Sequence, residues 1–226
     1  MEELPDRIQQ LLESGVVDQD LVISKQQLII FTRYPEPGKT KTRLIPALGE
    51  VGAADLQRQM TEQTIFEARE LQKIFSISLE VRFVGGTWEL MQNWLGSDLL
   101  YHDQGEGDLG SRLGRSLMAA FNQNAEQVVI IGSDCPGLNS QILAIAFEKL
   151  AVFDLVLGPA LDGGYYLIGL RQPIPELFSN IDWGTDKVLQ STVDIAKTLN
   201  LSLFYLPPLA DIDLPEDIEH WKQQQK

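Results

Sequence analysis

VVIIGSDCPGL, Val128 to Leu138, sets four consecutive β-branched residues against a glycine, a lone carboxylate and a proline. An apolar run without alternation is the pattern of a strand buried on both faces, as in a parallel sheet covered by helices. Pro136 bends the chain away, so Asp134 is presented at the carboxyl edge, where open α/β sheets bind ligands. Working outward, strands and helices alternate. Gln27–Thr32 reads as the first strand, and Val51–Leu71 as a helix. Phe75, Ile77, Leu79, Val81 and Phe83 alternate as a half-buried strand does. Helices are predicted over Thr87–Leu95, Gly110–Phe121, Asn139–Leu150 and Thr185–Leu199. DLVLGPA, YYLIGL and LSLFYLP read as strands, and Pro215 opens a last short helix. This order predicts an α/β protein with a Rossmann-like, three-layer α/β/α arrangement: a mostly parallel sheet with a hairpin insertion. Residues 25–226 form a single domain of natural size. Residues 1–24 stand apart as a helical extension, amphipathic from Leu4 to Val22, that serves as a cap or a homo-oligomer contact.

Composition narrows the partners. Eighteen Lys and Arg against 32 Asp and Glu leave a net charge of −14, a field that repels nucleic acid. An anionic small molecule then needs a local cluster of cations, a metal, or both. The apolar runs are too short to span a bilayer, and MEELPDRIQQLLESG is acidic where a secretory leader is basic, so the expectation is a cytoplasmic protein. Cys135 is the single cysteine, which excludes an internal disulfide and a multi-cysteine zinc site. With His102 and His220 the only histidines, neither on a strand-end loop beside it, Cys135 reads as a small buried thiol rather than a nucleophile.

Four stretches follow strands and carry the chemistry: Arg33–Leu44, Gly132–Leu138, Pro159–Gly164 and Pro207–Asp217. The first contains PEPGKTKTRL, whose GKT suggests a phosphate loop of the Walker type. That loop needs a glycine five residues before the GK glycine, and position 33 is Arg. What remains is a proline-stiffened turn with Arg33, Gly38, Lys39 and Thr42 as nucleotide contacts and Lys41 and Arg43 as the catalytic cations. Ammonium and guanidinium groups hold phosphate oxygens in complementary ways. The alternative is a solvated basic loop.

GEGDLG, Gly105 to Gly110, satisfies G-x-G-x-x-G, yet it lies mid-chain behind the polar YHDQ, a poor context for a dinucleotide fingerprint. Gly107 and Gly110 still permit close approach of a nucleotide, with Arg112 nearby. Asp134 suits magnesium, which takes one or two carboxylates and leaves its other positions to phosphate and water; the alternative is a cap for the helix at Asn139 or a turn residue. In PALDGG the turn chemistry alone explains Asp162, Gly163 and Gly164, while the functional reading has the glycines approach a substrate and Asp162 face it. Asp211 and Asp213, one residue apart on an extended chain, point the same way as a second metal contact, and Asp217 serves the helix entry. Thr185 is a helix cap by type; Asp186 is a first-turn acid or a candidate base.

Taken together, PEPGKTKTRL, GDLGSRL, IGSDCPGL, GPALDGGYYLIGL, WGTDKVL and DIDLPEDI resemble, from Leu28 to Trp221, a bacterial family of the DUF2064 type labelled glycosyltransferase or radical-SAM-associated transferase. The resemblance implies the nucleotide-diphospho-sugar transferase (GT-A) fold. KTRL is similar to the corresponding stretch of 2-phospholactate and molybdenum-cofactor guanylyltransferases. It also implies that Lys41 and Arg43 hold nucleotide phosphates and that Asp134 binds Mg²⁺ or Mn²⁺ with Asp213 completing the coordination. The guanylyltransferases open with a glycine-rich loop, whereas Pro35 and Pro37 stiffen this one, so base contacts do not carry over. The implied activity is glycosyl transfer from a nucleotide-activated donor to a small acceptor. The alternatives are nucleotidyl transfer with loss of pyrophosphate, and a nucleotide-binding module without turnover.

Overall fold

The computed structural model describes residues 25–218. Seven strands form one sheet: β1 (Gln26–Arg33), β2 (Ile77–Val84), β3 (Leu100–Asp103), β4 (Gln127–Gly132), β5 (Leu155–Pro159), β6 (Tyr165–Leu170) and β7 (Leu203–Tyr205), in the spatial order β3-β2-β1-β4-β6-β5-β7. β4 and β2 flank β1 in parallel, whereas β6 runs antiparallel to both β4 and β5. The fold class read from the sequence therefore holds, hairpin included. The apolar run at Val128–Ile131 is fully covered, as a central strand requires.

The helices are α1 (Ile45–Gln72), α2 (Trp88–Leu95), α3 (Leu109–Asn122), α4 (Ser140–Leu150) and α5 (Val188–Thr198). Ile65, Leu71, Met91, Leu143 and Phe147 bring α1, α2 and α4 onto one face of the sheet. Leu113, Leu117, Val193 and Ala196 bring α3 and α5 onto the other, so burial on two faces builds three layers. Thr87, Asp108 and Asn139 cap α2, α3 and α4, each accepting from the backbone N–H three residues on.

Several boundaries move. The first helix begins six residues early, at Ile45 behind a short 3₁₀ turn at Thr42–Leu44, and kinks at Gly49 (φ 71°). The second strand begins at Ile77 rather than Phe75, and the seventh shrinks to Leu203–Tyr205. The last long helix starts at Val188, not Thr185: Thr185 Oγ1 instead donates to Asp182 O at 2.8 Å and closes the loop ahead of it. LYHD was not read as a strand, yet it pairs in parallel with β2 as the edge strand β3, where polar side chains face water. Asp217 and Ile218 are helical at the limit of the described residues. The extension at 1–24, His220 and the end of the family resemblance lie outside them.

Candidate active site

The chain runs from β1 outward through β2 to β3 and then returns to the far side of β1 as β4. Such a reversal opens a crevice at the carboxyl ends of the two central strands. A cavity of about 570 Å³ lies there.

On the β1 side the proline-stiffened turn is closed by Thr40, whose hydroxyl donates to Tyr34 O at 2.9 Å, and by Lys39 N donating to Glu36 O at 3.1 Å. Lys41 then adopts the left-handed conformation (φ 47°, ψ 46°), uncommon outside glycine, and starts the 3₁₀ turn that drives Leu44 into full burial. Leu44 packs in a small cluster with Ala53, Leu56, Met60, Ile212 and Ile218. Ile212 lies between Asp211 and Asp213, so this cluster ties the cationic turn to the C-terminal acidic loop. Ile212 N also donates to Asp134 O at 3.0 Å, joining that loop to the end of β4.

The polar result is compact. Lys41 Nζ donates to Ile212 O at 2.6 Å and pairs with Asp134 Oδ1 at 3.1 Å and Asp213 Oδ1 at 3.7 Å, its side chain only 5% exposed. Arg43 Nη1 donates to Asp213 Oδ2 at 2.5 Å from an exposed position. Lys41, Arg43, Asp134 and Asp213 thus share one cleft. Arg33, Lys39, Thr42, Arg112, Asp162, Gly164 and Asp211 line it as well. Lys39 is partly engaged, pairing with Glu36 at 2.8 Å. Arg112 Nε donates to Gly107 O at 2.9 Å, which orients its guanidinium.

Other candidates are placed elsewhere. Asp186 is exposed and does not line the cavity. Gly163 (φ +91°) makes a close approach to Asp186: a Cβ there would lie 2.2 Å from Asp186 O. Gly110 gives way to Trp183, since its Cβ would sit 2.4 Å from Trp183 Nε1 and 2.6 Å from Phe178 O. Gly107 packs on Ser111 and Gly38 faces Glu50. Neither lines the cavity. The GEGDLG stretch does follow a strand, contrary to the sequence reading, but its glycines serve turns and helix packing. Asp217 Oδ2 accepts from Leu214 N at 2.7 Å and Asp213 N at 3.0 Å, bracing the acidic loop, and Asn139 caps α4 without Asp134.

Asp162 is both turn residue and wall: its Oδ1 accepts from Gly164 N at 2.8 Å while it lines the cavity. Burial first, then the Asp162 carboxylate, hold the Asp211 carboxyl above its ordinary range. The buried Cys135 thiol is pushed up by desolvation and by Asp134 and Asp211, which keeps it protonated and agrees with the structural reading of this residue.

The floor went unread. Gln57 Nε2 donates to Thr61 Oγ1 at 3.0 Å and Ser133 Oγ at 3.1 Å; Thr32 Oγ1 lies 3.0 Å from Ser133 Oγ and 2.8 Å from Thr61 Oγ1. Gln104 Nε2 donates to Thr32 O and Arg82 O, both at 3.1 Å. Thr32 and Ser133 directly precede Arg33 and Asp134, so the strand-end rule had marked their neighbourhood. Gln57 carries a weaker signal, a polar residue on the buried face of a helix. Trp183 and Tyr165 also line the cavity, ring centroids 6.3 Å apart at 82°.

A divalent metal fits this donor set. Hard carboxylate oxygens of Asp134 and Asp213 face one point with room beside them for phosphate. Among the described residues no three carboxylate, imidazole or thiol side chains assemble a metal cage, so Asp134, Asp211 and Asp213 do not form a self-sufficient triad. A divalent cation held there would need its remaining oxygens from a ligand.

Comparison with known proteins assigns this three-layer sheet to the nucleotide-diphospho-sugar transferase (GT-A) fold. The chain belongs to the family described as uncharacterized protein conserved in bacteria (DUF2064), which matches residues 67–185. A crystal structure from Desulfovibrio desulfuricans G20, assigned as a nucleotide-diphospho-sugar transferase, is 32% identical with a TM-score of 0.85 over 90% of this chain and 89% of that one. CMP:2-keto-3-deoxy-manno-octonic acid synthetase complexed with CTP shares the fold at 10% identity (TM-score 0.54; 89% and 98% covered). So does Rv0371C of Mycobacterium tuberculosis H37Rv in complex with manganese, at 14% (0.53; 88% and 98%). No curated protein matches the chain. Among the described residues no helix is long and apolar enough to cross a membrane.

Proposed function

We propose that the protein is a metal-dependent transferase that moves a glycosyl group from a nucleotide-diphospho-sugar to a small acceptor. The carrying observation is the 3.1 Å approach of Lys41 Nζ to Asp134 within a cleft walled by four further cations, Arg33, Lys39, Arg43 and Arg112. In a chain of net charge −14 this concentration of positive charge suits a polyphosphate. The 32%-identical Desulfovibrio protein supports the sugar-nucleotide assignment.

Lys41, Arg43 and Arg112 bind the donor's phosphates and stabilise the charge that grows on the leaving diphosphate. Asp134 and Asp213 hold Mg²⁺ or Mn²⁺, which when bound supplies Lewis-acid neutralisation of that diphosphate. The acceptor hydroxyl enters from the Asp162 and Trp183 side, and Asp162 takes its proton as the oxygen attacks the anomeric carbon and the nucleoside diphosphate departs. Asp186, on the surface, has no part in this scheme.

A second reading, nucleotidyl transfer, is favoured by the same five cations, more than a diphosphate alone calls for. There the acceptor attacks the α-phosphorus and pyrophosphate leaves. The fold neighbours complexed with CTP and with manganese, at 10% and 14% identity, do not separate the two reactions. Incubation with Mg²⁺ and separate pools of nucleotide sugars and nucleoside triphosphates separates them. Release of nucleoside diphosphate from the sugar pool is expected; pyrophosphate release selects the second reading, and tight binding without product selects a binding module.

A further inference from the structure

The Lys41 ammonium faces Ile212 O at 2.6 Å, Asp134 Oδ1 at 3.1 Å and Asp213 Oδ1 at 3.7 Å. The ammonium donates to Ile212 O and is held as an ion pair by the two carboxylates, so its charge is compensated by these oxygens. The side chain is no free arm: it is 5% exposed and springs from a left-handed backbone held by the burial of Leu44. Two of its three oxygens belong to the carboxylates assigned above to the metal. Arg43 differs, since its exposed guanidinium touches only Asp213 Oδ2 and keeps donors to spare.

We infer that the Lys41 ammonium and the divalent cation are alternative partners of Asp134 and Asp213, so that metal entry and the turning of Lys41 onto the donor's diphosphate are one exchange. The inference rests on the metal-dependent transferase reading. A dication beside a buried ammonium is repelled, and Lys41 leaving its oxygens without a new anion would strand a buried charge. A diphosphate removes both obstacles, because it completes the metal's coordination and accepts Lys41. Metal and diphosphate therefore bind synergistically, each strengthening the other by the same factor. Lys41 also keeps Asp134 and Asp213 from collecting stray divalent cations without donor.

The test is Mn²⁺ binding to the full chain, with inorganic pyrophosphate as the diphosphate probe. Because pyrophosphate chelates Mn²⁺ in solution, binding is read by equilibrium dialysis as the metal held on the protein side in excess of the protein-free side. Wild type should bind Mn²⁺ weakly alone and at least roughly tenfold more tightly with pyrophosphate. Lys41→Met, which keeps the length of the side chain and removes the charge, should bind Mn²⁺ alone roughly tenfold more tightly than wild type and lose most of the pyrophosphate enhancement. Mn²⁺ affinity unchanged or weakened in Lys41→Met, but still abolished by Asp134→Asn, overturns the exchange and leaves the metal site standing. Mn²⁺ binding indifferent to Asp134→Asn removes the metal reading and the exchange with it. Should Lys41→Met not fold, the ¹⁵Nζ resonance of Lys41 in wild type decides. It should move on adding Mg²⁺ and pyrophosphate together and stay in place with Mg²⁺ alone; no movement with both overturns the proposal.

Discussion

The two ends of the cavity are built differently. At the end beneath β1 and β4, most charged groups are paired: Lys41 with Asp134 and Asp213, Arg43 with Asp213, Lys39 with Glu36, and the backbone of Ile212 with both Lys41 and Asp134, while Arg33 has no ion pair among the described residues. An apolar cluster locks these loops from behind. At the end formed by the β5–β6 hairpin and the loop before α5, charges are uncompensated. Asp162 makes no ion pair among the described residues, and Trp183 Nε1 is buried with no hydrogen-bond partner. Asp211, on the acidic loop between the two ends, is also without an ion pair among them and is raised by its burial and by the Asp162 carboxylate. Preorganised charge suits a donor whose phosphates are always the same. Unspent polar groups suit an acceptor that completes them.

Substitutions at the two ends should therefore behave oppositely. The largest effect is expected from Asp134→Asn, which should lower metal-dependent nucleotide binding by about 100-fold or more while lowering the thermal midpoint only modestly, since Asp134 is half-exposed and Asp213 and Ile212 O still hold the buried Lys41 ammonium. Equilibrium binding with and without Mg²⁺ checks this, and undiminished binding would take Asp134 out of the site. Next comes Ile212→Ala, which empties a buried position in the cluster and should cost about 2–5 kcal/mol in urea unfolding. Its second signature is weaker nucleotide binding, because the carbonyl that holds Lys41 shifts with the loop.

At the other end, Gly110→Ala drives a methyl into Trp183 and the Phe178 carbonyl, and about 1–3 kcal/mol of stability should be lost through overpacking. Donor binding should survive, and its loss would erase the distinction between the ends. The smallest effect is the pH dependence of Asp211. Its carboxyl is raised in the fold, so its contribution to stability is complete below the ordinary value of 3.8 and is lost as pH rises through the folded value. Asp211→Asn should accordingly melt above wild type at neutral pH and converge with it near pH 3. A constant gap across that range would show that charge is not the cause.

Strand-end logic named much of the cavity's lining. Lys41, Arg43, Asp134, Asp162, Asp211 and Asp213 all follow strands, and all line the cavity. The glycines lie off the cavity for one reason. Gly107, Gly110 and Gly163 were weighed as approaches to a ligand, but a glycine's neighbour is set by whatever element packs over it, here Ser111, Trp183 and the backbone of Asp186. β3 was passed over because an edge strand needs no apolar pattern on both faces. Gln57 and Gln104 join the floor from elements distant in the chain, and their partners were invisible until those elements met.

Local chemistry alone determined the layered α/β class, because continuous apolar runs bury only between helices, and it also determined that anionic ligands need a confined patch in so acidic a chain. Which acids meet which cations was decided by tertiary packing. Lys41 lies 171 residues before Ile212, and only the shared burial of Leu44 and Ile212 brings its ammonium against Asp134 and Asp213. Short-range residue pattern cannot encode that distance, whereas a common apolar cluster enforces it.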